Sequence, residues 1–407
     1  MKKQKLAIIT SFDELCGNAE YSSALLKEFS GLYDASIIPL DGDVINSSFG
    51  DVAIKEIAKQ LAEYDLVNIQ FEASLFGASN ASIVSRFAIL AEASKKLIVT
   101  MHRVDVLSKS LDLFLMLKHL IRFEIKDCLR NLINPIRANN RGELYKKIVK
   151  ICTRPNTALI VHTKREKHRV QKLSKNQTKV LDHPLSFLTP AQSAAYRLQA
   201  NAQDFRKLYS VKKRTISVGL FGFNSPYKGV NIAIKSLEYL PKNYSLLLFG
   251  SQHPMQINTW PNGDPYLKSI IESKNIAAEI KSGRIRFLGG LYSHDALIAA
   301  MLCCDVVVLP YNECGQSGSG IAALAMDLGV NTVFSQNLAF LELMKYTGPC
   351  LHMFSIGNYV ELAERIMFAD KSKDFYTKEE KTLLKAYSSK YNLSTNVRLY
   401  HDAFNNL

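Results

Sequence analysis

Short apolar runs rich in β-branched residues alternate along the chain with longer segments whose apolar residues recur every three to four positions. KLAIITSF opens the series at Lys5. It is followed by a helical pattern near 18–30, DASIIPL, a helical pattern near 51–63, DLVNIQF, a third near 81–94, and KLIVTMH. Strands that are apolar on both faces need helices to cover them, so the alternation predicts parallel strands joined by crossover helices. The pattern breaks over residues 104–154, which read as helical and basic, and resumes with TALIVHT and TKVLDHP. Residues 186–212 mix Pro, Ser, Gln and Ala without strand character, as a linker or a surface helix between domains would. A second series follows: RTISVGLFGF, a helix near 229–240, YSLLLFG, a helix near 266–281, RIRFLGG, a helix near 293–302, DVVVLPY, a helix from Ile321, VNTVFS, a helix near 338–346, and CLHMF. The expectation is an α/β chain of two doubly wound domains. No close sequence repeat relates them, so their likeness is architectural.

Length agrees, because 407 residues exceed what one hydrophobic core usually supports. With 47% hydrophobic and 22% charged residues the composition is that of a soluble globular protein. No apolar run approaches the ~18 residues that span a bilayer. The basic start, MKKQK, precedes an apolar core of Leu6 to Ile9, too short for a secretory signal and better read as a first strand. The seven cysteines form no CxxC pair and have no histidine at ligand spacing, which predicts buried thiols in a reducing cytosol and no metal. A net charge of +14 admits nucleic acid, an anionic membrane surface or a phosphorylated substrate as partner. Much of it lies between Arg103 and Lys150, where 11 Lys/Arg stand against 5 Asp/Glu. There Leu113, Leu117, Leu120 and Ile121, with Lys118, Arg122 and Lys126 nearby, outline a basic amphipathic helix. It fits an anionic membrane or the apolar face of its own domain; nucleic acid is disfavoured, since no binding module is visible.

Candidate chemistry concentrates at strand ends, where open parallel sheets bind ligands. In PYNECGQSGSGIAALAMDLG, residues 310–329, a Gly/Ser run joins an apolar strand to a helix. Small residues let backbone approach a ligand, and the amides of Gly318, Ser319 and Gly320 at a helix N-terminus could meet a phosphate; a plain flexible turn is the alternative. His102 ends the fourth strand and faces the crevice of the first domain, or is a buried structural histidine; His162 and His183 read as structural. Gly17 sits in the first β-to-α turn, with Glu20, Tyr21 and Glu72 on the same rim. The G-x-G-x-x-G and G-x-x-x-x-G-K-[ST] fingerprints are absent, which disfavours dinucleotide cofactors and ATP-type P-loops.

Taken in order, CGNAEYSSALLKEF, DLVNIQFE, VTMH, FGFNSPYKGVNIAIKSL, LLLFGS, RIRFLGG, DVVVLPY and the SGSG helix start resemble the retaining B-type glycosyltransferases of family 4, in particular the subgroup that builds bacterial polysaccharides (lipopolysaccharide or capsule) and glycolipids. The resemblance implies the GT-B fold of two facing Rossmann-like domains. Residues 1–190 would bind the acceptor and carry the basic insert near 104–154; 191–212 would be the linker; 213–385 would bind the nucleotide sugar; 386–407 would form a helix crossing back to the first domain. It implies transfer of a hexose from a nucleoside diphosphate sugar to a polysaccharide or lipid-linked saccharide, with no cofactor and no metal. Such an enzyme is expected in the cytoplasm, peripheral at the inner face of the cytoplasmic membrane.

Carried onto this sequence, the resemblance makes Lys228 the cation for the diphosphate and adds Gly222, Ser225, Ser317, Gly318, Ser319, Gly320 and Ile321 to the donor site. His102 would hydrogen-bond the donor sugar, with Gln316 and Glu313 as further catalytic residues; Gly17, Asn18, Glu20, Glu72 and Arg103 would line the acceptor side. Lys228 read without the family is a surface lysine, and Glu313 a solvated loop carboxylate. Two departures stand out. The subgroup's phosphate-binding Arg is replaced by Ser225, and the broad family's Glu-x7-Glu pair falls on Gln316 and Leu324; QSGSG matches the subgroup's Q-S-x-S-G version instead. The competing functions are a catalytically silent binding or scaffold partner in glycan assembly and a nucleotide-sugar epimerase.

Overall fold

The computed structural model describes residues 3–11, 17–104, 140–200, 206–209, 211–212, 214–250, 266, 268, 270, 274–291, 293–313, 315–371 and 376–407. The expected amphipathic helix around 113–126 lies outside them; of the basic insert, residues 140–151 are helical. By contact the chain forms two compact units, one of residues 1–183 and 397–407, the other of residues 184–396.

In the first unit, β1 (Lys5–Thr10), β2 (Asp34–Pro39), β3 (Leu66–Phe71), β4 (Leu97–Met101), β5 (Thr157–Val161) and β6 (Lys179–Asp182) form a parallel sheet of order β2-β1-β3-β4-β5-β6. The apolar runs predicted these strands: every residue of LVNIQF, LIVTM and TALIV is buried, as required of inner strands covered on both faces. Helices Gly17–Phe29, Gly50–Gln60 and Asn80–Ala93 provide cover where the helical patterns predicted it. The pattern did not announce helix Lys164–Leu173, because six of its ten residues are Lys, Arg or His. Thr163 starts it by accepting from the Glu166 amide.

In the second unit, β7 (Ile216–Phe221), β8 (Tyr244–Phe249), β9 (Ile285–Phe287), β10 (Val306–Leu309), β11 (Thr332–Ser335) and β12 (His352–Phe354) form a parallel sheet of order β12-β11-β10-β7-β8-β9. Its core gathers Val218, Leu220, Leu246, Leu248, Val306 and Val308 from the strands with Val230, Ile234, Leu362 and Ile366 from the helices. Residues 190–199, within the stretch without strand character, are a helix with Pro190 at its start and a Thr189–Gln192 capping box.

Strand order fixes where a ligand would go. The chain runs from β1 to β2 on one side and returns as β3 on the other; it runs from β7 outward to β8 and β9 and returns as β10 on the opposite side of β7. Loops diverge at such reversals and open a crevice at the carboxyl ends of the strands. The last helix, Leu393–Asn405, completes the first unit through its final turns. Tyr400 and Phe404 are buried there; the Tyr400 hydroxyl lies 2.5 Å from Thr100 Oγ1 and the Tyr33 hydroxyl 2.7 Å from His401 Nδ1. Each such aromatic side chain stabilises the fold by about 1.5–3 kcal/mol through burial. Among the described residues no helix is long and apolar enough to cross a membrane.

Candidate functional site

At the second reversal, β7 is followed by Gly222, whose φ of +111° suits glycine and whose amide donates to the Phe249 carbonyl. Next, Pro226–Lys228 make one 3-10 turn that closes on Gly229, in the left-handed region at φ +70°. A Cβ on Gly229 would stand 1.9 Å from the Pro310 carbonyl oxygen, so glycine is required for this turn to reach the end of β10. There Asn312 clasps it, donating its amide to Tyr227 O (2.7 Å) and its side chain to Pro226 O (2.9 Å). The clasp turns Lys228 inward. Its side chain is buried, and its ammonium donates to the Tyr311 hydroxyl at 2.6 Å while lying 4.0 Å from the Tyr311 ring centre.

The Tyr311 hydroxyl is in turn 3.3 Å from Ser319 Oγ, the N-cap of helix Gly320–Leu328. Ser319 satisfies the Ala322 amide through its side chain and the Ala323 amide through its carbonyl, leaving those of Gly320 and Ile321 outside the cap. A Cβ on Gly222 would lie 3.4 Å from Lys228 Nζ and 3.9 Å from Ile321 Cγ1. Gly222, Lys228, Ser319 and Ile321 therefore converge. A buried ammonium, a bare backbone turn and the positive end of a helix dipole meet at one strand reversal, and all favour an anion.

The rest of the Gly/Ser run is used differently. Cβ atoms on Gly318 and Gly320 would meet Leu185 Cδ1 at 3.1 Å and Phe187 Cζ at 3.4 Å, so these glycines make room for the protein's own residues 185–187. Asp327, on the same helix, holds that segment by accepting from Phe187 N at 2.6 Å, Leu188 N at 3.1 Å and Ser186 Oγ at 3.0 Å. Burial pushes the Asp327 carboxyl up to about 7 against the pull of these donors. Glu313 is exposed; its carboxylate accepts from Gly315 N (2.7 Å) and from Leu338 N (2.8 Å), bracing the loop and starting helix Leu338–Thr347. Leu324 is buried in its helix face, and Ser317 is buried. Gln316 Nε2 and Ser225 Oγ are buried atoms with no hydrogen-bond partner. Native interiors rarely leave such groups unpaired, and here both belong to loops at the anion-favouring reversal.

At the first reversal the groups packed on the His102 ring are neutral. His102 follows β4; its amide donates to Phe71 O, and its Nε2 lies 2.8 Å from Gln70 Oε1. The ring meets Tyr21 edge-on at 5.6 Å and His162 at 5.0 Å. Burial and the neighbouring His162 hold the His102 pKa well below the usual histidine value, and burial lowers His162 to about 4. His162 Nδ1 lies 3.1 Å from the His183 carbonyl oxygen, while its Nε2 has no partner. After β1, Gly17 opens its helix in an exposed position, with open space where a Cβ would stand. The side-chain nitrogen and oxygen of Asn18 are both buried without a hydrogen-bond partner. Glu20, Glu72 and Arg103 are half-buried. Glu166 fixes the backbone beyond His102, its carboxylate accepting from the Val104 amide at 3.0 Å.

Sequence reading missed Tyr311, Gln70, Asn68, Tyr400 and the part of His162 that faces His102. A signal existed for two of them: Asn68 and Gln70 are polar residues inside LVNIQF, an otherwise apolar strand with every position buried.

No protein-family model and no curated protein matches the sequence. Solved structures do. The chain is similar to HepE of Anabaena in complex with UDP-glucose (15% identity, 99% of this chain and 100% of that one, TM-score 0.64). It is also similar to a glycosyltransferase of Rickettsia africae (13% identity, 99% and 98%, TM-score 0.65) and to a UDP-forming α,α-trehalose-phosphate synthase of Burkholderia xenovorans (11% identity, 100% and 99%, TM-score 0.66). At these identities the likeness establishes the fold: an α/β chain of two parallel-sheet units, as in GT-B glycosyltransferases.

Proposed function

We propose that the protein is a retaining, metal-independent glycosyltransferase that moves a hexose from a nucleoside diphosphate sugar to a polysaccharide or lipid-linked saccharide. The observation that carries the reading is the buried Lys228 ammonium beside Gly222 and the Gly320–Leu328 helix start. A diphosphate brings about two negative charges that such a site can hold without a metal ion. Solved structures of the same fold are complexes with UDP, with UDP-glucose and, for a trehalose-phosphate synthase, with glucose-6-phosphate, which supports a nucleotide sugar as donor and a sugar as acceptor. Gly17, Asn18, Glu20, Glu72 and Arg103 are assigned to the acceptor, Gln316 and Ser225 to hydrogen bonds with the donor.

In this reading the acceptor oxygen bonds to the anomeric carbon on the face from which the diphosphate departs. The carbon–oxygen bond to phosphate breaks, and the acceptor proton passes to the departing phosphate oxygen. Lys228 and the helix amides stabilise the charge that builds up on that oxygen, so positioning and electrostatics do the work a protein nucleophile would otherwise do. The enzyme would act in the cytoplasm, with the basic residues around 104–154 against the inner face of the membrane.

The test is a donor screen with saccharide and lipid-linked acceptors. Transfer with release of nucleoside diphosphate, retained anomeric configuration and no loss on adding a chelator is the expected result. Interconversion of the sugar nucleotide would make the protein an epimerase instead. Ser225, Gln316 and the buried Leu324, which stand where related enzymes carry an arginine and two glutamates, favour one further reading, a silent binding partner in glycan assembly. Tight donor binding with no turnover for any acceptor would establish it.

A further inference from the structure

Within the first unit a run of side chains has only one consistent hydrogen-bond polarity. The Ile98 carbonyl can only accept, so the Asn68 atom 3.0 Å from it is the amide nitrogen, which also donates to Thr100 Oγ1 at 3.1 Å. Asn68 Oδ1 is then the acceptor for Gln70 Nε2 at 2.5 Å. That leaves Gln70 Oε1 toward His102 Nε2, at 2.8 Å, and an amide oxygen can only accept. Flipping either amide would set two oxygens against each other. The Tyr400 hydroxyl, brought in by the last helix, closes the run: it pairs with Thr100 Oγ1 at 2.5 Å and also hydrogen-bonds with Gln70 and Tyr21.

We infer that this relay holds His102 as the neutral Nε2–H tautomer, with Nδ1 bare, and that Gln70, Asn68 and Tyr400 are positioning residues for it. Resting on the proposed function, the consequence is that His102 accepts a hydrogen bond from a substrate hydroxyl through Nδ1 and cannot donate one there. Burying two polar side chains in an inner strand costs stability unless each is paired, and fixing one tautomer is what the pairing achieves. The ring is kept neutral by its burial and by His162.

The experiment is a long-range 1H–15N correlation spectrum of the full chain labelled with 15N-histidine, with the His102 signal identified by its loss in His102→Gln. We expect a protonated Nε2 and an unprotonated Nδ1; an Nδ1–H form, or shifts averaged between the two, would overturn the inference. Gln70→Leu, which removes the acceptor facing Nε2, should release the ring into a tautomer mixture. An unchanged tautomer in Gln70→Leu would remove the relay. In transfer assays Gln70→Leu and Tyr400→Phe should lower kcat, by about tenfold for the former, while donor affinity stays within about threefold. An Nε2–H ring in a protein that transfers no sugar would sink the proposed function and leave the relay standing. Transfer by a protein with an Nδ1–H ring would do the reverse.

Discussion

The two strand reversals share one topology and are furnished in opposite ways. At β7 and β10 the protein buries a positive charge, lays it on an aromatic ring and points a helix start at the same spot. Around His102 in the first unit it buries neutral groups: two histidines held uncharged by desolvation, two tyrosines and the amides of Asn68 and Gln70. A Rossmann-like sheet supplies only the crevice; the residues just past the strand ends decide whether it prefers an anion or an array of hydroxyls.

The sharpest way to break this contrast is to remove the charge. Lys228→Met keeps the volume, and we expect nucleoside diphosphate binding by titration calorimetry to weaken by about 2–5 kcal/mol, the usual cost of deleting one partner of a desolvated charge contact. Folding stability should hold, since a buried ammonium costs desolvation that Met does not. Unchanged affinity would remove the anion assignment from the second unit.

A pH titration of stability tests the neutral side. His162 titrates near 4 when folded and near 6.5 when unfolded, so between those values the unfolded chain binds the extra proton and stability falls as pH falls. The contribution present above pH 6.5 and lost by pH 4 is on the order of 3 kcal/mol, and His102 adds in the same direction. Urea unfolding from pH 7 to pH 4 should show the loss, and His162→Gln should flatten it; equal slopes in the two proteins would mean that the pair is not held neutral. A smaller effect is expected for His102→Ala: turnover should fall about tenfold, more than donor affinity, as for the loss of one neutral hydrogen bond in steady-state kinetics. The smallest concerns Gln316→Leu. It removes a buried amide that lacks a partner, so the unliganded protein should gain about 1 kcal/mol in urea melts while donor affinity drops. A loss of both would show that the amide is paired within the protein.

Much of this fold could be read directly. Strands buried on both faces must be largely apolar, and that constraint marks LVNIQF, TALIV and VVVL in the sequence. Helix Lys164–Leu173 escaped because only a narrow seam, including Glu166 and Val170, touches the core, so its charged residues hide the period. At the site, Lys228 and Gly222 were legible from local motif and turn chemistry. Tyr311 was not, since its partnership with Lys228 links residues 83 positions apart and exists only once β10 lies beside β7. The Gly/Ser run was half legible: it joins β10 to helix Gly320–Leu328 as the pattern indicated, yet Gly318 and Gly320 are small for the sake of Leu185 and Phe187, which no local pattern reveals.

The return of the last helix to the first unit also bears on how the chain is made. Residues 397–407 follow more than two hundred residues of the second unit, yet Tyr400 and Phe404 fill the first unit's interior. At a synthesis rate of about 5–20 residues per second, the first 183 residues would wait roughly ten to forty seconds for them. Through that interval Phe29 and Tyr33 of the nascent unit lack the rings of Tyr400 and Phe404 that pack on them, and the Asn68–Gln70 relay lacks its Tyr400 end. Newly made chains should therefore be open to chaperones at the first unit until the second has been completed.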